Sequence, residues 1–377
     1  MPDPYSLAHM TMDVAFPAES LGAGFIGGGF MASVHARSVR AARARLVGVA
    51  TSSATKARLV AEDLGFERAY SDAQALIAGE GIDVVHVVTP NATHTEFARA
   101  AIAAGRHVIC EKPLATSAED ALSLTEEAGA AGVVTAVPFV YRYHPLVHEA
   151  RARVARGDLG RLLTIHGSYL QDWLLYDSDD DWRVDTILGG ASRAFADIGS
   201  HLCDLVEFVT GDKIASLVAT KSTAITARRG RREVLTEDAA ALVVQTHSGA
   251  IGTLLVSQVA PGRKNRLSFE IAGSEESVAF DQENPETLWL GRRIGSELLM
   301  RDPAQLSGSA ARLSILPAGH SLGYQDAFNA FMADAYAVAG GAERDTLPTF
   351  TDGLRAAILT EAVLASSATR EWVEVIV

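Results

Sequence analysis

The chain has 377 residues, 48% hydrophobic and 21% charged, a balance typical of a globular protein of about two domains. Its formal net charge of −13 argues against nucleic acids and anionic membranes as partners, because both bind basic surfaces. Two cysteines are too few for a disulfide framework, and no apolar run reaches the roughly 18 residues of a transmembrane helix. We therefore expect a cytoplasmic protein without a membrane partner, and residues 1–18 predict a leader that lacks a signal-peptide pattern.

Residues 21–137 alternate short apolar runs with helical stretches. Runs rich in Val, Ile and Leu predict strands at 21–26, 46–50, 84–88, 108–110 and 133–137. Stretches rich in Ala, Glu and Arg predict helices at 54–64, 95–104 and 118–131. This alternation indicates a parallel sheet with helices on both faces.

The pattern changes after Pro145. Helices are predicted at 146–155, 195–209, 324–338 and 353–368, and strands at 162–171, 214–223, 239–246, 252–259, 266–272 and 277–281. Because no helix separates the later strands, this sheet is expected to be mostly antiparallel. Residues 300–320 give the weakest pattern and are interpreted as a surface loop.

The stretch "GAGFIGGGFMA" at residues 22–32 contains two overlapping glycine fingerprints. One frame begins at Gly22 and the other uses Gly27, Gly29 and Ala32. In such a fingerprint the first glycine makes the turn, the second admits the pyrophosphate and the third packs helix on strand, where alanine is tolerated.

The later frame is the better prediction. The earlier one needs a buried strand at 13–21, which contains Pro17 and two acids, and a central parallel strand rejects both features. The later frame gives a strand at 21–26, a turn at 27–29 and a helix that begins near Phe30. The expected fold class is α/β: an N-terminal Rossmann dinucleotide-binding domain at 19–140 and a C-terminal α+β domain with a mostly antiparallel sheet at 141–377. We assign substrate binding and oligomerisation to the second domain and leave open that its last helices pack back on the first.

A signal for nucleotide specificity follows the second predicted strand. NAD-binding proteins usually place an acid there to hold the ribose 2′-OH, whereas this chain has Thr51 and Ser52, with Lys56 shortly after. Hydroxyls and a cation suit a 2′-phosphate, so NADP is favoured and NAD stays possible. The alternative, in which Lys56 belongs to a solvated helix face, remains open.

Three further segments carry polar groups in positions typical of ligand sites. "CEKPL" places Lys112 just past the carboxyl end of a predicted strand, where open α/β sheets bind their ligands. "TPNATH" likewise places polar residues just past the carboxyl end of a second predicted strand. "DIGSH" places Asp197 and His201 four residues apart and hence on one face of a predicted helix.

Taken in this order, "GGGFMASVH", "TPNATH", "CEKPLA" and "ADIGSH" resemble the glucose–fructose oxidoreductase/inositol dehydrogenase family, Gfo/Idh/MocA, from about residue 21 to the C-terminus. The resemblance implies that Lys112 contacts substrate and nicotinamide and that Asp197 and His201 form the catalytic pair. "SYLQDW" followed by "WR" is similar to pyranose dehydrogenases of the levoglucosan type. The missing acid after the second strand departs from the usual NAD pattern. The predicted cofactor-binding residues are Gly27, Gly29, Phe30, Met31, Thr51, Ser52, Lys56, Thr89, Pro90, Asn91, His94, Glu111 and Lys112.

The chemistry of alcohol oxidation agrees with these three residues. A hydride must leave for the nicotinamide, and a side chain must take the hydroxyl proton. His201 suits the proton transfer with Asp197 orienting it, and Lys112 can polarise the oxygen. Whether Lys112 or His201 is the immediate base stays open.

Candidate substrate residues flank the predicted domain junction, where clefts form. Two tryptophans could stack on a sugar face, although core packing explains each of them equally well. The acidic run "DSDDDW" lacks the glycine and final Glu of a calcium loop, so we expect no metal site. The candidate substrate residues are Tyr141, Arg142, Gln171, Asp172, Trp173, Trp182 and Arg183.

The sequence thus predicts an NAD(P)-dependent oxidoreductase that transfers a hydride between nicotinamide and a secondary hydroxyl of a sugar, pyranoside or cyclitol. Two alternatives remain: an NAD-dependent glycosidase that works by oxidation and elimination, and a non-catalytic nucleotide sensor. The presence of Lys112, Asp197 and His201 speaks against the sensor, which needs none of them. We expect a homodimer or homotetramer.

Overall fold

The computed structural model describes residues 21–230 and 233–376. The predicted leader at 1–18 lies outside the described residues, as does the strand at 13–21 of the rejected frame except for Leu21.

The first half of the chain forms a parallel sheet of six strands in the order β3-β2-β1-β4-β5-β6. This confirms the predicted Rossmann arrangement. The short edge strand β3 and the five-residue helix α3 were not predicted, because neither is long enough to show a period. The strands are β1 (Gly22–Ile26), β2 (Arg45–Ala50), β3 (Arg68–Ala69), β4 (Val84–Val87), β5 (His107–Cys110) and β6 (Thr135–Ala136). The helices are α1 (Phe30–Ala41), α2 (Ala54–Leu64), α3 (Ala73–Ile77), α4 (His94–Ala103) and α5 (Ala118–Ala131).

The second half forms a nine-stranded sheet in the order β14-β13-β12-β11-β7-β10-β9-β8-β15. Only β7 and β10 pair in parallel, which confirms a mostly antiparallel sheet within the described residues. Its strands are β7 (Leu162–Leu170), β8 (Ile214–Ser222), β9 (Ala239–Thr246), β10 (Ile251–Ser257), β11 (Arg266–Gly273), β12 (Ser277–Asp281), β13 (Thr287–Arg292), β14 (Gly295–Met300) and β15 (Val373–Glu374). The helices of this half are α6 (Pro145–Arg156), α7 (Thr186–Gly189), α8 (Ser200–Thr210), α9 (Gly308–Leu313), α10 (Tyr324–Ala339) and α11 (Phe350–Thr369).

One face of the nine-stranded sheet carries the core of this half. Alternate residues of β9 and β10, such as Leu242 and Leu254, are buried in one cluster with residues of α6, α8 and α11. Each such side chain contributes about 1.5–3 kcal/mol relative to its exposed state. The residues between them point to the opposite face, where Val243, Ile251 and Leu255 are exposed.

The last helices also contact the first sheet's helices. Helix α10 packs on α1, and Ser38 Oγ of α1 donates to Asn329 Oδ1 of α10 at 2.8 Å. Helix α11 packs on α5 and β8. None of the described helices is long and apolar enough to cross a membrane.

The interpretation of residues 300–320 as a surface loop is wrong. The segment contains α9, and it wraps around the fully buried guanidinium of Arg301. That group donates to the carbonyl oxygens of Leu316, Pro317 and His320 and pairs with Glu286 at 2.9 Å. One long side chain thus satisfies three backbone carbonyl groups of this segment, an arrangement that no periodicity reveals.

Candidate active site

The glycine turn follows the later frame. Strand β1 ends at Ile26, Gly27 takes a φ of +115° and its amide donates to Ala50 O at 2.9 Å, and α1 begins at Phe30. A Cβ on Gly27 would lie 2.4 Å from the carbonyl oxygen of Val88, so both the backbone angle and the close approach require glycine.

Gly29 differs from Gly27 because it faces open space. It is the N-cap of α1 with no side-chain cap, and a Cβ placed on it would meet nothing within 4 Å. The first amides of a helix lack intrahelical partners and carry the positive end of the helix dipole. This cradle fits an anionic pyrophosphate that approaches the backbone at Gly29, Phe30 and Met31.

The residues expected at the nucleotide end lie at the start of α2. Thr51 Oγ1 donates to Ser53 O at 2.9 Å, and Ser53 caps α2 by accepting from the amide of Lys56 at 3.2 Å. Ser52 and the Lys56 side chain are exposed. The first turn of α2 contains no acidic residue.

A cavity of about 310 Å³ lies between the two sheets. Phe30, Met31, Glu111 and Lys112 line it from the side of the glycine turn. The other walls include Tyr141, Tyr169, Gln171, Arg183, Asp197, His201, Asn265 and Tyr324. The structure therefore brings all three predicted catalytic residues together with the open N-terminus of α1.

Lys112 and Asp197 form the central ion pair of this cavity. Lys112 Nζ donates to Asp197 Oδ1 at 2.5 Å and to Asp197 O at 2.9 Å. Gln258 Nε2 donates to the second carboxylate oxygen at 2.8 Å, and Arg183 Nε lies 3.5 Å from the first. Burial alone would raise the pKa of Asp197, but the Lys112 and Arg183 cations outweigh it and hold that pKa well below its usual range.

A π-helical turn at Phe195–Gly199 carries Asp197, and α8 continues from it with His201. The buried Glu237 carboxylate holds the start of this turn, accepting from Ser192 Oγ at 2.7 Å and from the amides of Arg193 and Phe195 at 2.9 Å. A π turn has i→i+5 bonds, and such turns occur frequently at functional sites.

His201 lines the cavity without a bond to Asp197. Its Nδ1 is buried and has no hydrogen-bond partner in the described part of the chain. The rings of Tyr141 and Phe139 stand edge-on to it at 5.1 and 5.5 Å. Burial and the Lys112 cation lower the pKa of His201 to about 3, so the ring is neutral at neutral pH. The expectation that Asp197 orients His201 is corrected, because Asp197 instead bonds to Lys112 and Gln258.

A chain of hydrogen bonds forms the polar wall opposite the glycine turn. The hydroxyls of Tyr141 and Tyr169 are 2.5 Å apart, and Asn265 Nδ2 donates to Tyr141 at 2.9 Å. Gln171 Nε2 donates to Asn265 Oδ1 at 2.8 Å, and Trp173 Nε1 donates to Gln171 Oε1 at 2.8 Å. Sequence reasoning missed Tyr169 and Asn265. Tyr169 could have been inferred from Gln171, because residues two positions apart in a strand lie on the same face.

Several predicted substrate residues lie outside the cavity lining. Arg142 is buried and paired with Asp204 and, at 2.6 Å, with Asp352, so it ties α8 to α11 instead of meeting a substrate. Asp172 accepts from Lys264 Nζ at 2.7 Å and from the amide of Gly262 at 3.0 Å.

The two predicted tryptophans touch the site indirectly. Trp182 lies beneath the guanidinium of Arg183, 4.4 Å from ring centre to carbon. Trp173 is 38% exposed and contacts the lining residue Gln171 through a hydrogen bond.

The "TPNATH" residues stand beside the lining rather than in it. Asn91 Nδ2 donates to Gly189 O at 2.9 Å, which ties this segment to α7. The buried His94 ring contacts Pro113 O and Thr89 O at 2.7 and 2.9 Å, and burial lowers its pKa. Thr89 Oγ1 accepts from Thr93 Oγ1 at 2.7 Å, and Pro90 precedes the short helical turn at Asn91–Thr93. Among the residues described, no His, Cys, Asp and Glu side chains cluster in a way that could hold a metal ion.

Two family models match the chain. Residues 21–139 match the oxidoreductase family with an NAD-binding Rossmann fold, and residues 147–279 match the GFO/IDH/MocA C-terminal domain.

Whole-chain similarities point the same way. The levoglucosan dehydrogenase of Pseudarthrobacter phenanthrenivorans is 32% identical, over 95% of this chain and 98% of its own. A solved structure of levoglucosan dehydrogenase with NADH and levoglucosan has a TM-score of 0.89 at 30% identity, over 95% of this chain and 100% of that one. An inositol dehydrogenase homologue from Azotobacter vinelandii, with NADH and myo-inositol, has a TM-score of 0.86 at 26% identity, over 95% and 98%. The chain therefore belongs to the Gfo/Idh/MocA family and is an NAD(P)-dependent dehydrogenase that acts on CH–OH groups.

Proposed function

We propose that this dehydrogenase oxidises a secondary hydroxyl of a pyranose, pyranoside or cyclitol, with Lys112, Asp197 and His201 as its catalytic residues. The observation that carries the proposal is their meeting in one cavity, between the open N-terminus of α1 and a wall of hydroxyl and amide groups. A polyhydroxylated ring needs such a wall, because each hydroxyl that leaves water must find a partner.

The nicotinamide cofactor, when bound, supplies the acceptor for the hydride that leaves the alcohol carbon. The glycine turn and the amides at the start of α1 would hold its pyrophosphate. Glu111 and Lys112 line the cavity between the glycine turn and the wall of hydroxyl and amide groups that would face the substrate.

Lys112 acts on the substrate oxygen as a hydrogen-bond donor. An ammonium group has three N–H donors, and two of them go to Asp197. The third is left for the oxygen of the substrate. There the positive charge stabilises the alkoxide that develops as the proton leaves, and then it polarises the ketone.

His201 receives the hydroxyl proton in this proposal. Lys112 as an ammonium ion has no lone pair, whereas His201 lines the cavity and its neutral ring carries one. The hydroxyl proton passes to His201, and a bound nicotinamide would accept the hydride from the same carbon, so that a carbonyl group is left. Arg183 and Gln258 hold the Asp197 carboxylate while this occurs.

The experiment that tests the proposal follows the nicotinamide absorbance with levoglucosan, free pyranoses and cyclitols, and compares the reduced cofactor formed with the ketone formed. We expect a one-to-one ratio for at least one of these substrates. Cleavage of a glycoside without net cofactor reduction would instead indicate oxidation followed by elimination. Cofactor binding without any turnover across the panel contradicts the proposal.

The open backbone at Gly29 is where we expect the pyrophosphate of the cofactor to bind. Gly29→Ala should fold normally, because the residue has an ordinary φ of −89° and open space around it. The added methyl should keep the pyrophosphate from the backbone and raise the cofactor Kd by about 10- to 100-fold, as expected for one lost charge-assisted hydrogen bond. Gly308→Ala is the matched control, since that Cβ also meets nothing within 4 Å but lies on α9. An unchanged cofactor Kd in Gly29→Ala would place the pyrophosphate elsewhere.

We propose that NADP is used at least as well as NAD. The support is the acid-free start of α2 with two exposed polar groups, Ser52 and Lys56. Lys56→Ala should raise the KM for NADP by roughly 2- to 5-fold, the scale of one exposed ion pair. NAD serves as the internal control, because it lacks the 2′-phosphate and its KM should not move. Equal KM values for NADP in both proteins would remove Lys56 from the nucleotide site.

We also propose a homodimer or homotetramer, working in the cytoplasm, where the two buried free cysteines suit a reducing environment. The support for oligomerisation is the apolar row on the open face of the second sheet, where Val243, Ile251 and Leu255 are 42%, 56% and 42% exposed. Light scattering at micromolar concentration should give a multiple of 39.9 kDa. Ile251→Lys should shift the mass toward the monomer, while Leu59→Lys on α2, an exposed leucine in the first half, should not. A monomeric wild type would end this proposal.

A further inference from the structure

Behind the cavity lies a buried row of polar side chains that the reaction above does not use. Tyr336, His86 and His35 are at most 2% exposed, and they come from three different elements, α10, β4 and α1. Tyr336 OH is 2.9 Å from His86 Nε2, His86 Nδ1 is 3.0 Å from His35 Nδ1, and His35 Nε2 is 3.0 Å from Glu111 Oε1. The row therefore ends on a carboxylate that lines the cavity.

The direction of the last hydrogen bond in this row is fixed. The pKa of Glu111 is lowered, because the His35 bond and nearby cations outweigh the effect of burial, so its carboxylate is ionised and can only accept. His35 must then donate from Nε2, whether the ring is neutral or doubly protonated. Burial lowers the pKa of His86 well below its usual range, so His86 is neutral and supplies one donor and one acceptor. All the contacts are satisfied only when His35 Nε2–H points to Glu111.

The second oxygen of Glu111 carries the row one step further. Glu111 Oε2 accepts the backbone amide of Lys112 at 3.2 Å, so a single carboxylate links His35 to the segment that bears the Lys112 side chain. Burying three polar rings is costly when apolar rings of the same size would fill the space. That free-energy cost is explained if the row holds a group that lines the cavity in a fixed position.

We infer that His35 and His86 are positioning residues, and that the chain Tyr336–His86–His35–Glu111 holds the Glu111 carboxylate in place in the cavity and, through it, the backbone of Lys112. The inference rests on the function proposed above. If it is correct, the loss of kcat caused by a substitution becomes smaller the further the substituted residue lies from Glu111. If these residues only filled the core, the loss of kcat would instead increase with the side-chain volume removed.

The test compares variants of the full chain at equal folded fraction. His35→Leu removes the donor to Glu111 and should lower kcat by about 10- to 100-fold, as misplacement of an active-site group does. His35→Gln keeps an N–H near the position of Nε2 and should recover most of that loss. His86→Phe should cost less than His35→Leu, and Tyr336→Phe should cost least. His148→Leu is the matched control, because His148 is also a buried histidine but its Nε2 has no partner in the described residues and it lies on α6.

A second measurement needs no turnover and therefore separates this inference from the proposed function. Proton and nitrogen NMR of the free protein should show a slowly exchanging His35 Nε2–H that shifts in Glu111→Gln and keeps its position in His148→Leu. The inference is overturned if this proton is absent. It is also overturned if His35→Gln is as slow as His35→Leu, or if kcat losses follow side-chain volume, with His148→Leu as slow as His35→Leu.

Discussion

Lys112→Met is expected to lower the turnover number by about 10²–10⁴-fold in a protein that still folds. Methionine keeps the unbranched chain up to the ε position and removes the ammonium group, so the substrate oxygen loses its cationic donor. The Asp197 carboxylate keeps the hydrogen bond from Gln258 and its ion pair with Arg183, which limits the structural damage. Steady-state rates per folded molecule, with folding measured by circular dichroism, provide the test.

Lys213→Met is the matched control for this substitution. Lys213 also pairs with a carboxylate, Glu207 Oε2 at 3.0 Å, but it lies outside the cavity lining. Its loss should leave turnover near the wild-type value. Lys112→Arg adds a second comparison, because a planar guanidinium keeps the charge but not the compact donor geometry of an ammonium group. Wild-type turnover in Lys112→Met would exclude Lys112 from the chemistry.

The elements that the sequence predicted best are those specified by local patterns. Helices α2 and α5 have the predicted bounds, because serine caps begin both and glycines in left-handed conformations end both. The glycine turn was predictable for a similar reason. A strand with no polar residue must precede it, and only one of the two frames offers such a strand.

The site residues that sequence reasoning misjudged depend on distant partners. Arg142 is charged and lies near the junction, but Asp204 and Asp352, 62 and 210 positions away, neutralise it. Asn265 enters the cavity only because β11 pairs with β7, which no local signal reveals. The predicted contact between Asp197 and His201 assumed an α-helical spacing of four residues. The structure has a π turn at Phe195–Gly199 in place of that α-helix, and the Asp197 carboxylate bonds to Lys112 instead.

His201→Gln is expected to lower the turnover number by about 10²–10⁴-fold, because the variant cannot take the substrate proton. Cofactor affinity should barely change, since the glycine turn lies on the other sheet. Turnover per folded molecule and the cofactor Kd test both statements. If His201 serves only to pack the core, the variant will be fragile but normally active once folded, and that result would end the catalytic role.

His201→Gln should also change how the free energy of unfolding depends on pH, and here the variant should lose less than the wild type in acid. The pKa of His201 is about 3 when folded and near its ordinary value of 6.5 when unfolded. Between these values the unfolded chain binds a proton that the folded protein does not, so the wild type loses stability as the pH falls through this window. At pH 5 the loss from this residue is about 2 kcal/mol relative to neutral pH. His201→Gln does not titrate, so its free energy of unfolding should fall less between pH 7 and pH 5 than that of the wild type, in denaturant titrations of both proteins. The flatter pH dependence of stability reports a neutral, buried imidazole at this position in the wild type, and the lowered turnover reports that this neutral ring is used in the proton transfer.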